Sequence, residues 1–169
     1  MVDLKQLYRE LVSLEIELWN GIEGRLRAEF DLPLTSFEVL HLLLRRPGPR
    51  IQDIAEEFSI TVGGTSKVVD RLEAAGLCER RANPNDRRSS VVELTAEGRK
   101  LVNGALKVFE DELELRIGSV ISEQAVREVT VVLGTLRAAG RALDAERKAA
   151  GQTPVPGMRA PKPSGRPAS

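Results

Sequence analysis

The run TVGGTSKVVDRLEAAGLCERRANPNDRRSSVVEL, residues 61–94, constrains the fold more than any other part of the chain. Thr65, Val68, Val69 and Leu72 recur at helical spacing and would pack inward. Val62, Gly63, Ser66, Lys67, Asp70 and Arg71 then fall on the opposite face. Thr61 suits the N-cap of this helix, and Gly76, after two alanines, is the expected left-handed stop. Past the stop, residues 77–82 and 90–94 carry the apolar and β-branched side chains of short strands, and NPND at 83–86 is turn chemistry. A helix followed by a two-stranded hairpin with an arginine-bearing loop is therefore expected.

The flanking sequence builds a frame for that run. Ile51, Ile54, Ala55 and Phe58 mark a short amphipathic helix, and only Ser59 and Ile60 remain for a turn before Thr61. Two short helices about a tight turn, followed by a hairpin, give a winged helix-turn-helix. Upstream, FEVLHLLLRR is almost wholly apolar, which predicts a central helix ending at Pro47-Gly48-Pro49. Thr35-x-x-Glu38 has the form of its capping box, with Ser36 as an alternative cap, after a break at Asp31, Leu32 and Pro33. Leu4 to about Phe30 reads as a long helix with a broad apolar stripe and an acidic face of Glu10, Glu15, Glu17 and Glu23. It is too long for the core of a small domain, so exchange with a second copy is favoured over an ordinary core helix.

Downstream, Thr95 caps a helix running to about Ile117, with Leu101, Ala105, Phe109 and Leu113 on one face. Gly118 and Ser119 weaken it. A last helix from about Ser122 to Leu143 carries Val126, Val129, Leu133 and Leu136, while Gly134 and Gly140 lower its propensity and permit close helix approach. From Gly151 the chain is Pro/Gly/Ser-rich and basic with no acid, the composition of disorder. The fold class is mainly α with a small β-hairpin wing. Its expected parts are an N-terminal dimerisation helix (1–32), a winged helix-turn-helix domain (33–98), C-terminal dimerisation helices (99–146) and a disordered tail (147–169).

Charge bears on function through its distribution, because 25 basic and 25 acidic residues cancel. Residues 80–88 hold four arginines (80, 81, 87 and 88) against Asp86, whereas residues 110–114 hold four acids and no base. One Cys and one His leave no intramolecular disulfide, no metal-spaced cluster and no convergent nucleophile and base, so an enzyme and a metal or other cofactor are not expected. GGTSK has the wrong residue order for a phosphate loop. The start lacks a secretory pattern and no apolar run suits a membrane span, which points to a cytoplasmic protein. A helical scaffold that binds protein through its long amphipathic ends is the alternative class.

FEVL at 37–40, IQDIAEEFSI at 51–60, SKVVDRLEAAGL at 66–77 and NPNDRRSSVVELTAEGR at 83–99 together resemble the MarR family of bacterial transcriptional regulators. The likeness spans roughly residues 4–146. It implies a homodimer with interlocked terminal helices that binds a pseudo-palindromic operator on double-stranded DNA, with repression relieved by a small ligand. On the recognition helix, Lys67 and Arg71 can donate to phosphate or guanine, Ser66 can donate or accept, and Val62 can meet a thymine methyl. Thr61 is mainly a cap, and a surface salt bridge is the alternative for Arg71. Gly63 and Gly64 depart from the family pattern, in which many members carry Ser or Thr; here backbone N–H groups could approach a phosphate.

In the wing, Asp86 and Arg88 match the family's D-x-R, which implies an arginine in the minor groove held by the aspartate. Arg80, Arg81 and Arg87 either contact phosphate or keep the hairpin solvated. By location in the family, Trp19, Phe30, Phe37 and His41 are candidates for a pocket taking a small aromatic effector. A core role is favoured for both His41 and Trp19. Cys78 is expected to be a small buried filler rather than a redox sensor.

Overall fold

The computed structural model describes residues 2–84 and 86–151, without the side chain of Arg87. In chain order it forms α1 (Leu4–Phe30), α2 (Leu34–Arg45), α3 (Ile51–Glu57), α4 (Val62–Ala74), β1 (Cys78–Asn83), β2 (Asp86–Leu94), α5 (Ala96–Leu113), a π-helical turn (Glu114–Gly118) and α6 (Glu123–Ala149). Contacts divide it into two units, residues 1–112 and 113–169.

In the first unit α2 is the centre. Phe37, Val39 and Leu40 are fully buried, together with Leu26 of α1, Ile54 of α3, Val69 of α4, Val92 of β2 and Val102 of α5. α1 ends where expected, with Asp31 left-handed at φ 49° and its N–H bonded to the Arg27 carbonyl. The start of α2 differs from the sequence reading. No Thr35–Glu38 capping box forms: the helix begins at Leu34, directly after Pro33, and Ser36 is buried. Glu23 of α1 accepts the Leu34 N–H, so the free end of α2 is satisfied from a neighbouring helix. Glu38 is instead half-buried, and burial raises its carboxyl pKa.

α3 is fixed at its start by Asp53, which accepts the Arg50 N–H at 2.8 Å and pairs with the same residue's guanidinium at 2.8 Å. That pairing holds the Asp53 carboxyl down at about 2. The turn into α4 is as short as the sequence allows. Ser59 takes a left-handed conformation (φ 53°) and the Ile60 N–H returns to the Ala55 carbonyl.

Thr95 joins the hairpin to α5: its hydroxyl donates to the Gly76 carbonyl at 2.7 Å and accepts the Gly98 N–H at 3.0 Å. Gly98 lies so close to the β1 root that a Cβ there would sit 1.9 Å from the Leu77 carbonyl oxygen. This contact sets the rotation of α5. Its buried stripe is Gly98, Val102, Ala105, Val108 and Glu112, so of the expected face only Ala105 is fully buried, while Leu101, Phe109 and Leu113 are half-buried. Arg25 of α1 pairs with both Glu29 and the buried Glu112.

In the second unit Ser122 caps α6 through the Ala125 N–H. No residue of α6 is buried, and Val129, Val132, Leu133 and Leu136 are exposed. The same holds for the first half of α1, where Leu4, Leu7, Tyr8, Leu11 and Leu14 are exposed. α6 continues to Ala149, past the expected boundary at 146, with Arg147 and Lys148 in its last turn, where cations suit the helix dipole. The tail from residue 152 lies outside the described residues.

Candidate nucleic-acid interface

α4 presents the two faces its spacing predicts. Thr65, Val68, Val69 and Leu72 are buried, while Val62, Gly63, Lys67, Asp70 and Arg71 are exposed and Ser66 is half-buried. Thr61 is the cap: its Oγ1 accepts the Gly64 N–H at 3.1 Å. The two glycines differ. A Cβ at Gly64 would press on that cap at 3.0 Å, whereas a Cβ at Gly63 would meet nothing within 4 Å. The bare backbone at Gly63 is thus open for an approaching ligand, beside Val62, which is 53% exposed.

The arginines sort into two kinds. Arg71 donates to the Lys67 carbonyl at 3.2 Å and makes no ion pair among the described residues, and Lys67 makes none either. The surface salt bridge that is the alternative for Arg71 is absent among the described residues, and the Asp70 and Glu73 carboxylates are held by Arg80. Arg80 pairs with Asp70 at 2.5 Å and with Glu73. These pairs tie Arg80 to α4. Arg81 remains on the surface, paired with Glu79 and Glu93.

The wing closes more tightly than its sequence suggests. β2 starts at Asp86 rather than at 90, with Asn83 opposite Asp86 and a register shift between Ala82 and Asn83. Polar side chains make the early start possible: Asn83 Nδ2 donates to Ser89 Oγ at 3.0 Å, and Ser89 Oγ donates to the Asp86 carbonyl. Asp86 Oδ1 accepts the backbone N–H of Arg88 at 3.0 Å. The aspartate of D-x-R therefore holds the arginine's backbone, which leaves the exposed guanidinium of Arg88 with no ion pair among the described residues. The side chain of Arg87 lies outside the described residues. Lys67 and Arg71 on the helix and Arg88 on the wing are cations able to donate to phosphate or to base edges.

The four aromatic and imidazole residues proposed for a pocket are not brought together as one group. Phe37 and His41 stack with ring centroids 5.5 Å apart, and Phe109 of α5 completes the cluster at 5.0 Å from Phe37. Burial and the charge of Arg45 lower the His41 pKa, against an opposing pull from Glu110. Phe30 sits against Gly104 on α5, and Trp19 is half-buried without a ring contact to this cluster among the described residues. Helical periodicity alone places Phe109 on a face of α5 and gives no sign of its ring contact with Phe37. Cys78 is buried, and burial pushes its thiol up to about 11. Among the described residues no His/Cys/Asp/Glu group could hold a metal, and no helix is long and apolar enough to cross a membrane.

The sequence model of the MarR family matches residues 32–90, from the start of α2 into the wing. The HTH-type transcriptional regulator MhqR of Bacillus subtilis (strain 168) is 34% identical over 99 residues, which are 59% of this chain and 68% of that protein. The chain belongs to the MarR family. As a MarR-family transcriptional regulator it binds DNA, through a mainly helical fold with a two-stranded wing. The fold is shared with Sco3205 of Streptomyces coelicolor, a MarR-family regulator solved in complex with DNA, at TM-score 0.74 and 18% identity over 81% of this chain and 89% of that one. The transcriptional repressor CouR, bound to a 23-mer DNA duplex, is 26% identical with TM-score 0.70, covering 81% of this chain and 99% of that one.

Proposed function

We propose that this MarR-family chain acts in the cytoplasm as a ligand-responsive repressor, binding a pseudo-palindromic operator as a homodimer. The recognition helix α4 enters the major groove with Val62, Gly63, Gly64, Ser66, Lys67 and Arg71, and Thr61 caps it. The wing enters the minor groove with Arg88, whose guanidinium suits the concentrated negative potential of a narrow groove. The observation that carries this reading is the pairing pattern: Arg80 and Arg81 are engaged by carboxylates, whereas Lys67, Arg71 and Arg88 are exposed with no ion pair among the described residues.

Residues 1–32 and 99–146 supply the dimerisation region around a DNA-binding domain at 33–98. Support comes from the exposed apolar residues of α1 and α6, which a single chain leaves in water. The repressor role is favoured by the likeness to CouR, a transcriptional repressor. For the effector, a small aromatic molecule, Trp19, Phe30, Phe37 and His41 are the candidate contacts, with Phe37 and His41 stacked on one another beside Phe109.

A gel shift with the DNA upstream of the protein's own gene tests this reading. Arg88→Ala should weaken binding by about tenfold or more at fixed salt, as losing a good specific contact does. Sedimentation should show the same dimer. An unchanged dissociation constant would remove the wing from the interface.

A further inference from the structure

Arg80 belongs to β1 by sequence and to α4 by its contacts. Its backbone N–H donates to Glu73 Oε1 at 2.9 Å, one guanidinium nitrogen donates to Glu73 Oε2, and the other donates to Asp70 Oδ1 at 2.5 Å. Asp70 and Glu73 lie one helical turn apart, so both carboxylates can meet one arginine. The arginine is the most enclosed of the three, its side chain 26% exposed against 57% for Asp70 and 38% for Glu73. Both of its terminal guanidinium nitrogens are thus directed at carboxylates of α4.

Two consequences follow from that bracket. The first is geometric: Arg80 pairs in register with the fully buried Val92, while Arg81 and Ala82 beyond it are exposed. The bracket therefore ties the wing to α4 close to where its strands leave the core. The second is electrostatic. Asp70 shares the outward face of α4 with Lys67 and Arg71, and an unpaired carboxylate there would repel phosphate.

We propose that Arg80 is a positioning residue for DNA binding that does not touch DNA. It couples the wing to the recognition helix, so that Arg88 and Lys67 engage neighbouring grooves together, and it neutralises Asp70 and Glu73. This rests on the assignment of α4 and the wing to the major and minor grooves.

The test uses the full chain and the duplex that the wild-type protein recovers from a random-sequence pool. Four proteins are compared: wild type, Arg80→Gln, Asp70→Asn with Glu73→Gln, and the triple variant. Arg80→Gln should weaken binding by about tenfold in the wild-type background and by less than about twofold once both acids are neutral. In hydroxyl-radical footprints Arg80→Gln should lose protection in the minor groove under the wing, while in dimethyl sulfate footprints it should keep guanine N7 protection under α4.

The same loss in both backgrounds would mean that Arg80 contacts DNA and would overturn the proposal. A uniform loss of protection with a lowered melting temperature would mean a merely stabilising role and would overturn it too. If Arg80→Gln does not fold, Arg80→Lys replaces it, because lysine keeps the charge but has one nitrogen where arginine turns a separate one to each carboxylate; an intermediate loss with the same coupling is expected. Failure of the groove assignment is seen separately, as Arg88→Ala leaving affinity and minor-groove protection unchanged.

Discussion

Gly98→Ala should damage the lobe at the junction between wing and α5. A Cβ at this position would lie 1.9 Å from the Leu77 carbonyl oxygen and 2.8 Å from its carbon, both backbone atoms that cannot rotate away. Real Cβ contacts stay beyond 3.0 Å, so α5 and the β1 root must separate by at least 1.1 Å, the difference between 3.0 and 1.9. That movement strains the Thr95 N–H bond to the Leu77 carbonyl (3.2 Å) and the Thr95 hydroxyl bond to Gly76 (2.7 Å). Overpacking costs about 1–3 kcal/mol, and each hydrogen bond lost costs about 0.5–1.5 kcal/mol. Against this stands the helix propensity gained from alanine, up to about 1 kcal/mol. The net expectation is a loss of about 2–4 kcal/mol, a large part of an ordinary domain's stability. Urea unfolding at fixed protein concentration measures it, with Gly24→Ala as control, because a Cβ at Gly24 meets nothing within 4 Å. A Gly98→Ala protein within about 0.5 kcal/mol of wild type would refute the close-approach argument.

Three further predictions concern other sites. Lys67→Ala should weaken DNA binding and reduce the salt slope by about 1 if the lysine meets only phosphate; a loss that varies with operator sequence would show that it reads bases. Asp53→Asn should cost about 1 kcal/mol at pH 7, as losing a helix-start contact does. Because the folded Asp53 pKa of about 2 lies below its unfolded value, that stabilisation is present above about pH 4 and lost as pH falls towards 2. Urea unfolding of both proteins across pH checks this; a difference that persists unchanged at the acid end would contradict it. Cys78 should resist iodoacetamide at pH 8 until the protein is unfolded, since burial keeps it a thiol well above that pH; rapid native alkylation followed by mass spectrometry would contradict its placement in the core.

What was legible in the sequence was local. The faces of α4, the Thr61 and Thr95 caps and the Gly76 stop depend on residues three or four apart, and the structure reproduces each. What was not legible depends on partners from other elements. Glu23 caps α2 from α1, a role no local pattern signals, so the Thr35 and Glu38 box looked sufficient. Arg80 looked like one more base in a basic hairpin because its partners lie seven and ten residues back, on another element. The start of β2 was misplaced because Asn83, Asp86 and Ser89 satisfy one another across the turn and let the ladder reach the tip. The ring cluster was half visible: Phe37 and His41 share a helix face, but Phe109 joins them only when α5 folds back.

Selection of bound duplexes from a random-sequence pool tests most directly whether two copies of this interface read DNA together. Enriched sequences should share a pseudo-palindrome with half-sites about one helical turn apart, and Arg88→Ala should enrich them poorly from the same pool. Enrichment of a single asymmetric site, or of nothing above the input pool, would contradict a homodimer reading an operator with α4 and the Arg88 wing.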